Sequence, residues 1–184
     1  MKRMVALLGL IFLLSGCAQT ELEQGMELRG KLLQAETCTF DANVTADYGD
    51  RLYQFSMSCN ADKEGAVTFT VTKPENIAGI SGKLDKSGGS ITFDDTVLEF
   101  GLMAEDRLSP VSAPWVLIKT LRGGYLKSAG RSDGITRLTL DDSYQEDALT
   151  VDVWLGEDGL PTRGEILFDG RRILTVEVEK MQIL

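Results

Sequence analysis

Residues 38–47 alternate without a break, with Cys38, Phe40, Ala42, Val44 and Ala46 on one side and Thr39, Asp41, Asn43, Thr45 and Asp47 on the other. A period of two sends successive side chains to opposite faces of a strand, so the segment predicts a strand with one buried face. After the turn-forming Asp47-Tyr48-Gly49-Asp50 the alternation resumes with Tyr53, Phe55, Met57 and Cys59, and after Asp62-Lys63-Glu64-Gly65 it resumes with Val67, Phe69 and Val71. Three consecutive strands therefore share one apolar face. With the first turn centred between Tyr48 and Gly49, Phe40 faces Met57, Val44 faces Tyr53 and Cys38 faces Cys59. A second turn centred on Asp62 sets Phe55 opposite Phe69.

Turn signals recur at Pro74-Glu75-Asn76, Ser87-Gly88-Gly89, Asp94-Asp95, Asp141-Asp142, Glu157-Asp158-Gly159 and Asp169-Gly170, between short segments rich in Val, Ile, Leu, Phe and Thr. This spacing predicts an antiparallel meander. Two stretches follow a helical period instead. Thr20–Ala35 carries Leu22, Met26, Leu32 and Leu33, with Thr20 and Glu23 placed as a capping box and Gly25 and Gly30 as weak points. Leu108–Gly123 has Ser112 as cap, Pro114 in its first turn and Trp115, Ile118 and Leu121 along one side, and ends at Gly123-Gly124.

The expected fold is therefore mainly β with α: a strongly curved antiparallel sheet or incomplete β-barrel covered by an N-terminal helix and one inserted helix. Its concave face would be lined by Phe40, Val44, Tyr53, Phe55, Met57, Val67, Phe69 and Val71, with Trp115 and Ile118 as a lid. The same residues serve a hollow that holds acyl chains or a filled core, because periodicity is identical in the two cases.

The N-terminus departs from both patterns. Met1-Lys2-Arg3 is a cationic head, Met4–Leu14 an apolar run of eleven residues, and Leu14-Ser15-Gly16-Cys17 a lipoprotein-type cleavage site. A spanning helix needs roughly 20 apolar residues, so the run reads as an export signal that is removed. The expected division is a signal peptide over 1–16, a lipidated N-terminus over 17–21 with the lipid on Cys17, and a single domain over 22–184. This address predicts an extracytoplasmic protein, lipid-anchored to a bacterial cell membrane or outer membrane.

Two cysteines remain. An oxidising compartment and the register above both favour a Cys38–Cys59 disulfide. Two free buried thiols and a redox-active pair are the alternatives.

Charge narrows the chemistry. Nineteen basic residues stand against 28 acidic, and loss of Lys2 and Arg3 with the signal leaves 17 against 28, a net of −11. Such a chain lacks the basic footprint of a nucleic-acid binder. It contains no histidine, which removes serine–histidine triads and histidine zinc sites. The acidic doublets coincide with predicted turns, where Asp bonds locally, so neither metal binding nor carboxylate catalysis is expected. The reading is of a noncatalytic protein without a cofactor.

Val151-Asp152-Val153-Trp154-Leu155-Gly156-Glu157-Asp158-Gly159-Leu160-Pro161-Thr162-Arg163-Gly164-Glu165-Ile166 resembles a late hairpin of the LolA/LolB-like lipoprotein-carrier superfamily: a strand ending in Trp, an acidic-glycine turn, then Leu-Pro and a strand. The order of elements over residues 22–183 fits as well. The resemblance implies a half-open barrel with helices over a hydrophobic cavity, and the anchor signal makes the chain similar to a spore-germination lipoprotein branch that acts through a protein partner. Soluble carriers lack an anchor, which leaves a tethered acceptor, a local lipid binder or a partner-binding lipoprotein. Ile77-Ala78-Gly79-Ile80 is the nearest candidate for a membrane-inserting loop, with a buried strand end as its rival. The resulting expectation is a membrane-anchored envelope lipoprotein that binds acyl chains or a lipoprotein, or else an anchored interaction module that binds or regulates another envelope protein.

Overall fold

The computed structural model describes residues 16–86, 88–92 and 108–184, with side chains over 20–86 and 108–184. The export run and the Asp94-Asp95 turn lie outside the described residues, as does the side chain of Cys17. Helix α1 (Gly16–Gln34) leads into strands β1 (Thr37–Asp47), β2 (Leu52–Asp62), β3 (Val67–Lys73), β4 (Ser81–Asp85) and β5 (Gly88–Thr92). A 3-10 turn (Pro110–Ser112) then runs into helix α2 (Ala113–Gly123). Strands β6 (Tyr125–Ser132), β7 (Ile135–Asp141), β8 (Thr150–Leu155), β9 (Pro161–Phe168) and β10 (Arg171–Ile183) complete the chain.

The ten strands among the described residues form one antiparallel sheet in the order β5-β4-β3-β2-β1-β10-β9-β8-β7-β6. Two meanders are thus joined by pairing of the first strand with the last, and among the described residues the edges β5 and β6 do not meet. The sheet is an incomplete barrel.

Alternation places every second residue of β1 on the inner face, all of them buried. Phe55, Met57 and Cys59 of β2, Val67, Phe69 and Val71 of β3, and Val151, Val153 and Leu155 of β8 do the same in their own strands. The inserted helix fills the concavity: Val116, Leu117, Ile118 and Leu121 are almost fully buried and join the strands in a single core. Pro114 suits the first turn, where its missing N–H costs no helical bond. Gly124 closes the helix with its N–H on the Thr120 carbonyl, 2.7 Å away. A Cβ there would sit 2.6 Å from that carbonyl oxygen and 2.7 Å from that of Asp141, so only glycine fits.

Three expectations are corrected. The β1–β2 turn is centred one residue later than the pattern suggested: Tyr48 N–H bonds the Arg51 carbonyl at 2.9 Å, and Gly49 takes the first central position at φ +92°. Glycine is favoured there in a two-residue hairpin. Phe40 consequently faces Cys59, and Cys38 faces Ala61. The β2–β3 turn moves further, because Lys63-Glu64-Gly65 forms a three-residue loop with Gly65 at φ +87°. Phe69 therefore faces Cys59, and Val71 faces Met57. A one-residue shift of a turn changes each pairing by two residues, which keeps every side chain on its face and is invisible to a period-two pattern.

The third correction concerns α1, which is already helical at Gly16, so Thr20 and Glu23 do not cap it and residues 17–21 are part of the helix. It packs through Gly25, Leu28, Leu32 and Ala35, whereas Leu22, Met26 and Leu33 face outward. Gly25 decides this. A Cβ there would be 3.0 Å from the Leu138 side chain, so the residue read as a weak point is where helix and sheet touch.

Candidate functional site

At the end of the sheet where β1 turns into β2, the chain leaves a half-enclosed cleft of about 560 Å³. Its walls are Tyr48, Tyr53, Phe55, Pro74, Ile77 and Pro110, and Asp50, Arg51, Gln54 and Asn76 form a polar rim. The hairpin sets the first wall. Its tight turn brings Tyr48 edge-on to Tyr53, with ring centroids 5.4 Å apart, a preferred aromatic geometry. Asp47 holds the turn by accepting from the Gly49 N–H at 2.7 Å and pairing with Arg171 at 3.3 Å. Burial, and then the neighbouring Tyr53, push the Tyr48 phenol above its ordinary range.

The second wall is the 3-10 turn Glu75–Ile77, where the Ile77 N–H returns to the Pro74 carbonyl at 3.2 Å. Gly79, at φ +92°, donates to Val71, and Ile80 is fully buried. The 77–80 segment therefore anchors itself through Ile80 and turns Ile77 toward the cleft. Phe55, 7% exposed, forms the floor.

The candidate cavity residues divide. Tyr53 and Phe55 line this cleft. Phe40, Val44, Met57, Val67, Phe69, Val71 and Ile118 are each at most 3% exposed and packed together, so this part of the concave face is filled by its own side chains and by α2. Trp115 does not cover the mouth. It borders a second, polar cleft of about 340 Å³ with Leu33, Lys63, Lys119 and Arg122, at the far end of β2. Sequence reading missed these roles for Tyr48, placed in a turn, Ile77, placed in a candidate membrane-inserting loop, and Pro110, placed in the stretch of the inserted helix; aromatics on both sides of a two-residue turn were the available signal.

Cys38 and Cys59 are both free and buried. The observed register makes them diagonal rather than opposed, and diagonal positions lie farther apart than a disulfide tolerates without backbone movement. Burial pushes the Cys38 thiol up to about 11. Cys59 rises to about 12 through burial and then the charges of Asp41 and Cys38. These are inert thiols rather than a redox pair.

The described acidic doublets hold turns. Asp142 accepts from the Leu149 N–H at 2.9 Å, Asp141 from the Thr150 hydroxyl at 2.8 Å, and Asp158 from the Leu160 N–H at 2.9 Å. On the outer face Trp154 lies between Arg137 and Arg163, whose guanidinium carbons are 5.1 and 5.4 Å from the ring centre. Arg137 also pairs at 2.5 Å with the buried Asp152, which accepts from Thr139 at 2.6 Å. Trp154 is thus part of a cross-strand stack.

No protein-family profile matches the chain, and no curated protein matches it in sequence. Solved structures do. A LolA superfamily protein from Nitrosomonas europaea matches at 10% identity over 92% of this chain and 94% of its own, with a TM-score of 0.45. A putative outer membrane lipoprotein-sorting protein domain from Vibrio parahaemolyticus matches at 9% identity, 90% and 93% coverage and a TM-score of 0.45. The Mycobacterium tuberculosis lipoprotein LppX matches at 15% identity, 88% and 93% coverage and a TM-score of 0.42. The solved structures similar to this chain thus include members of the LolA superfamily.

Proposed function

We propose that this chain is an extracytoplasmic lipoprotein, anchored to its membrane through Cys17, that holds an acyl chain of a lipid or a lipoprotein in the cleft at the β1–β2 end of the sheet and performs no catalysis. One observation carries the reading: the cleft is walled by two tyrosines, a phenylalanine, an isoleucine and two prolines, and closes onto a continuous apolar core. Its volume falls within the range of about 300–1,000 Å³ in which small ligands bind. The rim residues Arg51 and Gln54 stand where a polar head group would remain in water.

Native mass spectrometry of the protein extracted from its own membranes tests this. The expected species is a chain that begins at an acylated Cys17 and carries a noncovalent lipid, which is lost in Tyr53→Ala. An unacylated chain would refute the anchor, and an acylated chain bare of lipid would refute the cleft.

A second reading, an anchored module that binds another envelope protein, for example in spore germination, draws on the filled interior around Met57, Val71 and Ile118. It predicts a copurifying polypeptide in place of the lipid.

A further inference from the structure

Helix α1 carries apolar side chains on two faces, and the fold uses one of them. Leu28 and Leu32 are buried, whereas Leu22, Met26 and Leu33 are 44%, 51% and 54% exposed. At about 3.6 residues per turn these three fall on one narrow stripe. Arg29 lies at its edge, but its guanidinium is drawn aside to the Leu121 and Gly124 carbonyls, at 2.8 and 2.7 Å.

The surface continues beyond the helix. Leu33 shares the polar cleft with Trp115, whose ring centre is 5.2 Å from the Lys119 ammonium. Lys119 pairs at 3.0 Å with Asp142. In the loop that Asp142 opens, the largely exposed Tyr144 meets Tyr125 with centroids 5.5 Å apart. Leucine and methionine beside indole, phenol and cationic side chains is the composition that settles at a membrane–water boundary, where rings bury an apolar body and cations reach for head groups. The cleft holds Lys63, Lys86, Lys119 and Arg122 against Glu64, Asp142 and the Glu36 that pairs with Lys63, a small local positive excess on an acidic chain.

The chain also indicates what covers this face. Because α1 is helical from Gly16, Cys17 lies in its first turn with no linker between. At 1.5 Å per residue, Leu22 is about 8 Å and Leu33 about 24 Å along the helix from Cys17. We infer that the face made by Leu22, Met26, Leu33, Trp115 and Tyr125 lies on the surface of the phospholipid bilayer that holds Cys17, so that α1 is an interfacial helix rather than a stalk. This rests on the lipid-anchor reading above.

The test uses the protein matured in its own membranes and reconstituted into vesicles of equimolar phosphatidylcholine and phosphatidylglycerol, with or without brominated acyl chains that quench indole. Trp154→Phe leaves Trp115 as the sole indole, and Trp115→Phe leaves Trp154. Trp115 is expected to be quenched severalfold more strongly than Trp154. In Leu22→Ser/Met26→Ser/Leu33→Ser, whose positions are exposed and whose melting temperature should hold, quenching of Trp115 falls to the level of Trp154. Vesicles that float with protein whose Trp115 is quenched no more than Trp154, or a triple variant quenched like the parent, overturn the docking. So does protection of Trp115 by a second copy, seen as a dimer at the vesicle surface. Protein that does not float overturns the anchor itself, and with it the orientation.

Discussion

If the inner face is filled at Met57 and open at Tyr53, truncating these two neighbours of one strand should have opposite consequences. Met57 is 1% exposed within the core. Met57→Ala leaves a cavity that its surroundings refill only in part, at a cost of about 2–5 kcal/mol. Tyr53 is 47% exposed on the cleft wall. Its truncation removes the packed half of the ring and its edge contact with Tyr48 but leaves no enclosed cavity, so global stability should change by only about 1 kcal/mol. An aromatic side chain presents about 150–250 Å², so the open part of Tyr53 offers a ligand on the order of 70–120 Å². At 25 cal/mol per Å² that is about 2–3 kcal/mol if fully covered. Coverage of half would still weaken binding roughly tenfold. Urea unfolding measures the first quantity, and displacement of a fluorescent fatty acid from the folded protein measures the second. Met57→Ala should lose stability and keep its affinity for the probe; Tyr53→Ala should keep stability and lose affinity. A Met57→Ala protein of undiminished stability that binds the probe more tightly would show a hollow interior and refute the filled-core reasoning.

Maleimide should label neither Cys38 nor Cys59 in the folded protein at neutral pH and should label both after unfolding in denaturant without reductant; joined peptides would contradict the free thiols. Raised thiol values also favour the protonated folded state: the unfolded chain begins to release these protons near 9.0, the folded one only near 11 and 12. Their contribution to stability is complete below pH 9 and is lost as pH rises through that window, so thermal unfolding of Cys38→Ala/Cys59→Ala should decline less over the same range than that of the parent. Arg29→Ala should cost about 1–3 kcal/mol in urea unfolding, because it removes charged hydrogen bonds from the Leu121 and Gly124 carbonyls. Arg29→Lys should recover only part of this, since a rotating ammonium lacks the rigid fork that aims Nε and Nη2 at two separate carbonyls, and full recovery would refute the bidentate argument.

Much of this architecture was legible in the chain because a period-two pattern reports the face of a strand directly. The inner positions of β1 and β3, the inserted helix with Pro114 and its glycine end, and the acidic turns follow from local chemistry alone. Register does not. Moving the β1–β2 turn by one residue leaves Phe40 buried and changes only its partner from Met57 to Cys59, and the disulfide expectation depended on that difference. The face of α1 was misread for a related reason. Leu22 and Met26 carry hydrophobicity, whereas Gly25 carries shape, and close approach to Leu138 outweighed the apolar count. The cleft needed three distant turns to converge, at Tyr48, Ile77 and Pro110, and no local pattern encodes that convergence.

The positions of the two clefts bear on where a ligand comes from. The apolar cleft ends near Phe55, while the Trp115 cleft begins at Lys63 beyond the other end of the same strand. Eight residues of strand separate them by about 26 Å at 3.3 Å per residue. In the docking proposed above, a helix buried only about 5–10 Å leaves the apolar cleft outside the hydrocarbon if β2 rises from the Trp115 end away from the bilayer. In that orientation the proposed docking face would keep the proposed acyl site away from the lipids beneath it. An acyl chain lifted from that bilayer would have to cross water, at roughly 0.8 kcal/mol for each exposed methylene. Delivery by a second protein that seats against Tyr53 and Arg51 avoids that crossing. In that orientation the two proposed readings would converge on one surface, with a partner as the source of the chain that the cleft receives.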